Sequence, residues 1–218
     1  MNFYLSAALS LCIIFPAVMG LLRFTKISEA YHPFIYCMWL GALNEISSVL
    51  IVMTGHPNIV NGNIYMLAEA LLLSWQFKKW DLFNKKLTWF TIIIISIVSL
   101  WITENFIISK ITLFNSYFRI AYSTLITFMS ISTMNHLIVT ERRSLLKNPT
   151  FIICTAFILY YTLNVLSEAF WIYGVNRNKS FRISVYNISL ITNFIAIILY
   201  FLAILWMPIK QRFTLPSS

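Results

Sequence analysis

Hydrophobic residues fill most of the chain in long runs, and clusters of polar residues interrupt these runs at fairly regular distances. A run of about 20 residues is what an α-helix needs to cross the hydrocarbon core of a bilayer. The breaks between runs carry charged residues, Pro or Gly, which end helices. The pattern predicts seven membrane-spanning helices, near residues 3–22, 33–54, 61–77, 87–103, 113–134, 150–172 and 184–206.

The composition agrees with this prediction. Of 218 residues, 59% are hydrophobic, 17% are aromatic and only 11% are charged, which is too few to cover the surface of a soluble domain. We therefore predict an all-α integral membrane protein with a single domain at 1–210 and a short cytoplasmic tail at 211–218. The seven spans leave no room for a folded soluble domain, so any site must lie in the bundle or its connections.

Basic residues predict the orientation of the bundle. Eleven Lys and Arg residues fall in the first, third and fifth connections and the tail, against four in the other connections. The positive-inside rule then places the N-terminus outside and the C-terminus in the cytoplasm. The first apolar run has no preceding basic segment and no small-residue cleavage site, so we expect a retained helix and not a secretory signal. Because the positive charge is spread among connections, the sequence does not indicate nucleic-acid binding.

A weak internal similarity links the two halves of the chain. His32-Pro33 leads into a helix bearing Asn44-Glu45, and Asn148-Pro149 leads into a helix bearing Asn164 and Glu168. Helices one to three would then correspond to helices five to seven, which is a 3+1+3 parallel repeat of a kind known in transporters. The alternating rhythm of any seven-helix chain produces similar spacing, so the similarity does not establish a duplication.

Four ionisable residues lie inside predicted spans: Glu45, Glu69, Arg119 and Glu168. With a rise of about 1.5 Å per residue, they lie about 13, 12, 9 and 6 Å from the outer ends of their helices. A charge at such a depth costs several kcal/mol unless it has a partner, and intramembrane charges commonly mark ligand or ion sites. Their overlapping depths predict one polar site in the outer half of the bundle.

Other polar residues share helix faces with these charges. On predicted helical faces, Tyr65 and Glu69 are one turn apart, as are Asn164 and Glu168. Tyr186 and Asn193 form a further polar stripe on the last helix. The full predicted ligand- or ion-binding set is Glu45, Glu69, Arg119, Glu168, Asn44, Tyr65, Asn164, Asn193 and Tyr186.

The charges leave three interpretations open. Arg119 could bridge Glu168 and Glu69 in a buried network without any ligand. Alternatively, three Glu against one Arg leave excess negative charge, so that a proton, a cation or an amine ligand fills the site. In the third interpretation, Arg119 binds an anionic ligand such as a carboxylate.

No motif identifies an enzyme or a cofactor. The sequence has no HExxH, GxSxG or phosphate-binding loop, and it indicates no catalytic residue, metal site or cofactor. Our first hypothesis is a receptor or sensor subunit of a bacterial cytoplasmic membrane that binds a small, cationic or protonic ligand from the outer side. A cytoplasmic signalling protein or a second copy would be its partner. A small proton-coupled transporter or channel using the same carboxylates is the alternative, and an intramembrane enzyme is third.

Overall fold

The computed structural model describes residues 3–83, 87–141, 145–172 and 179–209. Over these ranges the protein consists of helices and connections without a β-strand, which confirms the all-α prediction. The predicted tail at 211–218 lies outside the described residues. The helices are α1 (Phe3–Leu11), α2 (Ile14–Arg23), α3 (His32–Met53), α4 (Ile59–Lys79), α5 (Leu87–Ile102), α6 (Ser116–Thr140), α7 (Pro149–Ile172) and α8 (Lys179–Trp206).

Proline marks the start of α3 and of α7. Pro33 is the second residue of α3 and Pro149 is the first of α7, where a missing N–H costs nothing. The side-chain oxygen of Asn148 caps α7 by accepting the N–H groups of Thr150 at 2.9 Å and Phe151 at 3.3 Å. Local sequence therefore determines where α7 begins.

The first predicted span is divided into α1 and α2. Pro16 lies in the first turn of α2 and has no N–H to donate to the carbonyl four residues earlier. The chain makes tighter turns just before it, with the N–H of Ile13 bonded to the carbonyl of Ser10 at 3.2 Å. The single helix predicted at 3–22 is therefore two helices joined by a turn.

The sixth helix in sequence, α6, differs most from its predicted bounds. It was expected at 113–134 and occupies Ser116–Thr140. The preceding residues stay irregular because Asn63 of α4 donates to the carbonyls of Ile111 at 2.8 Å and Leu113 at 2.9 Å. Before this connection, α5 continues as a π-helical segment at Thr103–Ile108.

Among the described residues, five helical stretches are long and apolar enough to cross a membrane. They are Leu5–Arg23, Glu29–Met53, Leu87–Ile108, Pro149–Ile172 and Phe181–Trp206. The remaining long helices, α4 and α6, have 21 and 25 residues and are more polar. The protein thus carries multiple helices suited to a lipid bilayer, as expected from its composition.

Six of the helices form a ring. In chain order α2, α3, α4, α6, α7 and α8 each pack on the next, and α8 returns to α1 and α2. By contrast, α5 packs mainly on α4 and has Ile97 as its single buried residue. The inside of the ring is therefore built without α5.

An aromatic cluster fills the centre of the ring. The ring of Phe157 on α7 lies 5.8 to 6.2 Å, between centroids, from the rings of Phe34, Phe77, Tyr161 and Tyr200. Each of these side chains is at most 7% exposed. Because these residues come from α3, α4, α7 and α8, the aromatic cluster joins four helices through one packed centre.

The bundle has two chemically distinct ends. We call the N-face the end where α1, α4, α6 and α8 begin and α3 and α7 end; the opposite end is the C-face. At the C-face, Arg23 donates to the carbonyls of Ile204 at 2.6 Å and Leu205 at 2.5 Å, and Ile27 forms an antiparallel bridge with Ile209. Arg23 thereby satisfies carbonyls at the end of α8, which lack partners within the helix.

Candidate functional site

A partly buried ion pair lies near the N-face between α6 and α7. Nη1 of Arg119 is 3.1 Å from Oε1 of Glu168, and the hydroxyl of Ser116 donates to Oε2 of Glu168 at 2.7 Å. Ser116 and Arg119 both belong to the first turn of α6, whereas Glu168 lies one turn before the end of α7. The antiparallel packing of these two helices brings the three side chains together.

A cleft of about 450 Å³ opens beside this pair. Its volume lies in the range of small-molecule sites, about 300 to 1,000 Å³. The lining comes from α6, α7, α8 and the connection before α6, and it combines the ion pair with aromatic rings and small polar side chains. The lining residues are Phe114, Arg119, Asn164, Ser167, Glu168, Trp171, Val185, Tyr186 and Ser189. We call this space the N-face cleft.

The two charges of the pair are not equally accessible. The Arg119 side chain is 24% exposed, whereas that of Glu168 is 5% exposed. Arg119 also stacks over the ring of Phe114, with its guanidinium carbon 4.4 Å from the ring centroid, and its Nε donates to the sulfur of Met66 at 3.1 Å. These contacts hold the guanidinium in one position at the wall of the cleft.

Glu69 lies in a more enclosed place and does not line the N-face cleft, although it is near enough to Arg119 for an electrostatic interaction. The hydroxyl of Tyr65 donates to Oε1 of Glu69 at 2.8 Å, and the hydroxyl of Tyr122 donates to Oε2 at 3.0 Å. Glu69 is 6% exposed, and Tyr122 packs edge-on against Tyr161, with their ring centroids 5.8 Å apart. Phenols, and not Arg119, are therefore the hydrogen-bond partners of Glu69.

The remaining predicted site residues are dispersed. Asn44 accepts a hydrogen bond from Asn61 of α4 at 2.9 Å, which links the N-face ends of α3 and α4. Glu45 is half-buried and forms no hydrogen bond or ion pair with any residue that the structure describes. Asn193 is half-buried on α8 and does not line the N-face cleft.

The structure therefore divides the predicted site. Arg119, Glu168, Asn164 and Tyr186 share the N-face cleft, and Tyr65 and Glu69 form the separate tyrosine-bound group described above. Asn44, Glu45 and Asn193 belong to neither set. In the hypothesis of a buried network, Arg119 bridges Glu168 and Glu69. The structure contains the ion pair with Glu168, whereas Arg119 acts on Glu69 only electrostatically.

Glu104 is a further buried carboxylate that we did not place in the predicted site. It is 4% exposed in the π-helical segment and accepts the backbone N–H groups of Tyr117 at 3.0 Å and Phe118. It therefore caps the first turn of α6, which carries Ser116 and Arg119. Glu104 lies one residue beyond the span predicted at 87–103, so the hydrophobic pattern gave no sign that it is buried in the bundle.

Amide side chains reinforce this end of α6. Asn115 donates to the side-chain oxygen of Asn105 at 2.7 Å and accepts from the hydroxyl of Ser109 at 3.0 Å. The indole of Trp101 donates to the backbone carbonyl of Asn63 at 2.9 Å. Together with Glu104, these bonds fix the connection between α5 and α6, and hence the position of Arg119.

Metal-binding chemistry is not indicated in the described ranges, which contain no group of three or more His, Cys, Asp or Glu side chains arranged to hold an ion. Cys37 and Cys154 are buried free thiols, and Cys12 is a half-buried one.

Comparisons with protein-family models, with characterised proteins and with solved structures found no match to this chain.

Proposed function

We propose that the chain is a seven-helix membrane receptor or sensor subunit that binds a small ligand in the N-face cleft. The observation that supports this proposal is the combination of ligand-sized volume, a charged pair and aromatic walls in one place. Such a site offers both apolar contact area and a few fixed polar groups, which is the usual composition of a small-molecule site.

The seven-span topology rests on α4 and α6 in addition to the five apolar stretches. At about 1.5 Å per residue, helices of 21 and 25 residues are about 32 and 38 Å long, enough to cross a hydrocarbon core of about 30 Å. Both lie in the ring, and α4 is further covered by α5, so other helices shield part of their polar surface from lipid.

The proposed orientation places the N-face outside and the C-face in the cytoplasm, following the excess of basic residues in the C-face connections. Cysteine labelling tests it. Lys110 and Lys26 are exposed near the two faces, and Lys110→Cys should react with a membrane-impermeant maleimide in intact cells, whereas Lys26→Cys should react only after lysis. The opposite pattern would invert the topology and place the N-face cleft on the cytoplasmic side.

A packed interior supports a receptor over a channel. On α7, Asn164 and Glu168 line the N-face cleft, and Phe157 and Tyr161 lie one to two turns further from the N-face. Phe157 and Tyr161 are 1% exposed and belong to the aromatic cluster that closes the centre of the ring. A ligand can thus occupy the N-face cleft without a continuous path through the described bundle.

A proton-coupled transporter is the second candidate, and the buried Glu69 favours it because transporters use carboxylates at membrane depth. Proteoliposomes carrying a pH gradient test this candidate. If the chain is a transporter, the pH gradient should drive a flux across the vesicle membrane, and Glu168→Gln should abolish that flux. The absence of a gradient-driven flux with the wild-type protein would count against the transporter.

Ligand binding in the N-face cleft can be tested by filling it. Ser189→Trp would occupy the space, whereas Ile191→Trp introduces the same indole on the same helix at a position that is 54% exposed and does not line the cleft. Small molecules of different charge are screened for a shift of the unfolding temperature of the detergent-solubilised protein. The proposal expects a shift with wild type and Ile191→Trp and none with Ser189→Trp. It fails if no compound class distinguishes the two variants.

A further inference from the structure

The proposed ligand site carries one positive and one negative group. Three Glu and one Arg in a common cavity would leave excess negative charge, but neither Glu69 nor Glu45 lines the N-face cleft. Both oxygens of Glu69 accept tyrosine hydroxyls, and its interaction with Arg119 is electrostatic, without a hydrogen bond. The walls of the cleft thus present one guanidinium, Arg119, and one carboxylate, Glu168. Glu104, the nearby additional carboxylate, is engaged by backbone N–H groups at the start of α6.

The guanidinium keeps hydrogen-bonding capacity. Nη1 of Arg119 contacts Glu168 and Nε donates to Met66, while Nη2 forms no hydrogen bond within the described part of the chain. Since Arg has five N–H donors in a fixed plane, it can bind a second oxyanion without releasing Glu168. An anionic ligand group therefore has a partner at the wall of the N-face cleft.

A cationic ligand group also has partners. Oε1 of Glu168 contacts Arg119 and Oε2 accepts from Ser116, so each oxygen keeps a further lone pair, and Glu168 lines the cleft. The aromatic side chains of Trp171 and Tyr186 form another part of the lining, and aromatic faces attract ammonium groups. The positive and negative partners lie side by side, 3.1 Å apart.

Charge balance decides which ligand fits. A purely anionic ligand would place two carboxylates on one guanidinium, and a purely cationic ligand would place two cations on one carboxylate. Either arrangement leaves an uncompensated charge at membrane depth, which costs several kcal/mol. A ligand with both charges preserves the balance, because its anionic group faces Arg119 and its ammonium group faces Glu168.

We therefore propose that the N-face cleft binds a zwitterion, with an oxyanion on Nη2 of Arg119 and an ammonium group between Glu168 and the aromatic wall. This inference rests on the function proposed above. An amino acid and a phosphoethanolamine lipid headgroup share this chemistry, and binding measurements can separate the two sources.

The test uses the full chain in nanodiscs and isothermal titration calorimetry with matched probes. L-Phenylalanine carries both charges, 3-phenylpropionate lacks the ammonium group and phenethylamine lacks the carboxylate; glycerophosphoethanolamine represents the lipid headgroup. We expect at least one zwitterion to bind about tenfold or more tightly than both singly charged probes, since each lost charged hydrogen bond has an effect of this size. The zwitterion that binds more tightly identifies the source.

Variants connect the binding to the site. Arg119→Gln should weaken zwitterion binding by about ten- to a hundredfold. Because this change also leaves the buried Glu168 without its ion-pair partner, a second test uses Tyr186→Ala at the aromatic wall. Ile188→Ala on the same helix is the control, since both residues are 52% exposed in the native protein. Tyr186→Ala should weaken binding severalfold and Ile188→Ala should not.

Two results would overturn the inference. Equal or tighter binding of a singly charged probe would show that charge balance does not select the ligand, while leaving a ligand-binding cleft intact. Failure of all four probes to bind at millimolar concentration would refute the zwitterion assignment. The proposed function has a separate test. It fails if no compound produces an unfolding-temperature shift that is present in Ile191→Trp and lost in Ser189→Trp.

Discussion

Glu104 offers a sharp test of the structure because a single buried carboxylate holds the start of α6. Its two oxygens accept the N–H groups of Tyr117 and Phe118, and the side chain is 4% exposed. In Glu104→Gln one oxygen remains as an acceptor, but the other is replaced by an NH₂ group that cannot accept. One backbone N–H at the start of the helix then loses its partner and faces another donor.

The expected cost follows from these contacts. Losing a hydrogen bond to a charged acceptor costs about 1.5 to 3 kcal/mol, and losing a negative charge at a helix N-terminus costs about 0.3 to 1 kcal/mol more. We therefore expect Glu104→Gln to lower the free energy of unfolding by about 2 to 4 kcal/mol. It should also weaken ligand binding in the N-face cleft, because the capped turn carries Arg119.

The assay is an unfolding titration with sodium dodecyl sulfate in mixed micelles, followed by tryptophan fluorescence. Glu141→Gln is the matched control, since Glu141 is exposed just after the other end of α6. A change of at most about 0.5 kcal/mol is expected there. If Glu104→Gln and Glu141→Gln unfold at the same detergent fraction as wild type, the cap does not contribute to stability and this interpretation of Glu104 is wrong.

Three further predictions concern polar side chains in the same assay. Gln76 is fully buried and its side-chain oxygen accepts the N–H of Phe34 at 2.8 Å. Gln76→Leu should therefore lower the free energy of unfolding by about 2 to 4 kcal/mol, and a decrease of less than about 1 kcal/mol would contradict this role. Arg23→Met should lower the free energy of unfolding by about 1 to 3 kcal/mol, because the carbonyls at the end of α8 lose their donor. Lys26→Met changes an exposed side chain and should leave stability unchanged; equal effects of the two variants would argue against the cap. Glu69→Gln should leave stability unchanged or raise it, because it removes a buried charge and the tyrosine that loses its acceptor can turn its hydroxyl and accept from the new NH₂ group, unlike the backbone N–H groups at Glu104. Glu69→Leu removes both acceptors and should lower stability by about 2 kcal/mol or more. The order of the two Glu69 variants is the decisive observation.

Local patterns were sufficient for most helix positions. The hydrophobic runs predicted where the long helices lie, and Pro33 and Pro149 marked two starts because proline acts through the backbone of its own turn. The division of the first run was also encoded locally, by Pro16, but the apolar pattern continues across it and so gave no sign of a break. The late start of α6 depends on Asn63 of another helix, which no local pattern contains.

The candidate site was less predictable, for a geometric reason. Sequence spacing gives the height of a residue along its helix and pairs it with neighbours on the same face, as for Tyr65 and Glu69. It does not give the rotation of one helix against another. Glu45 and Glu168 were expected at overlapping depths, yet Glu168 faces Arg119 across the α6–α7 contact and Glu45 does not line the N-face cleft. Tyr122 as a partner of Glu69 likewise required the packing of α4 on α6.

The position of α5 outside the ring has a consequence for sequence variation. Most of its side chains are apolar and not buried within the bundle, so a bilayer would be their surroundings. Lipid accommodates Leu, Ile, Val and Phe nearly equally well, so selection is expected to act there on apolar character and not on identity. In a saturation mutagenesis experiment, α5 should accept most exchanges among apolar residues, with Ile97 as the exception. A drift of this kind would erase recognisable similarity in α5 first, while the residues that hold its π-helical end to α6 stay constrained.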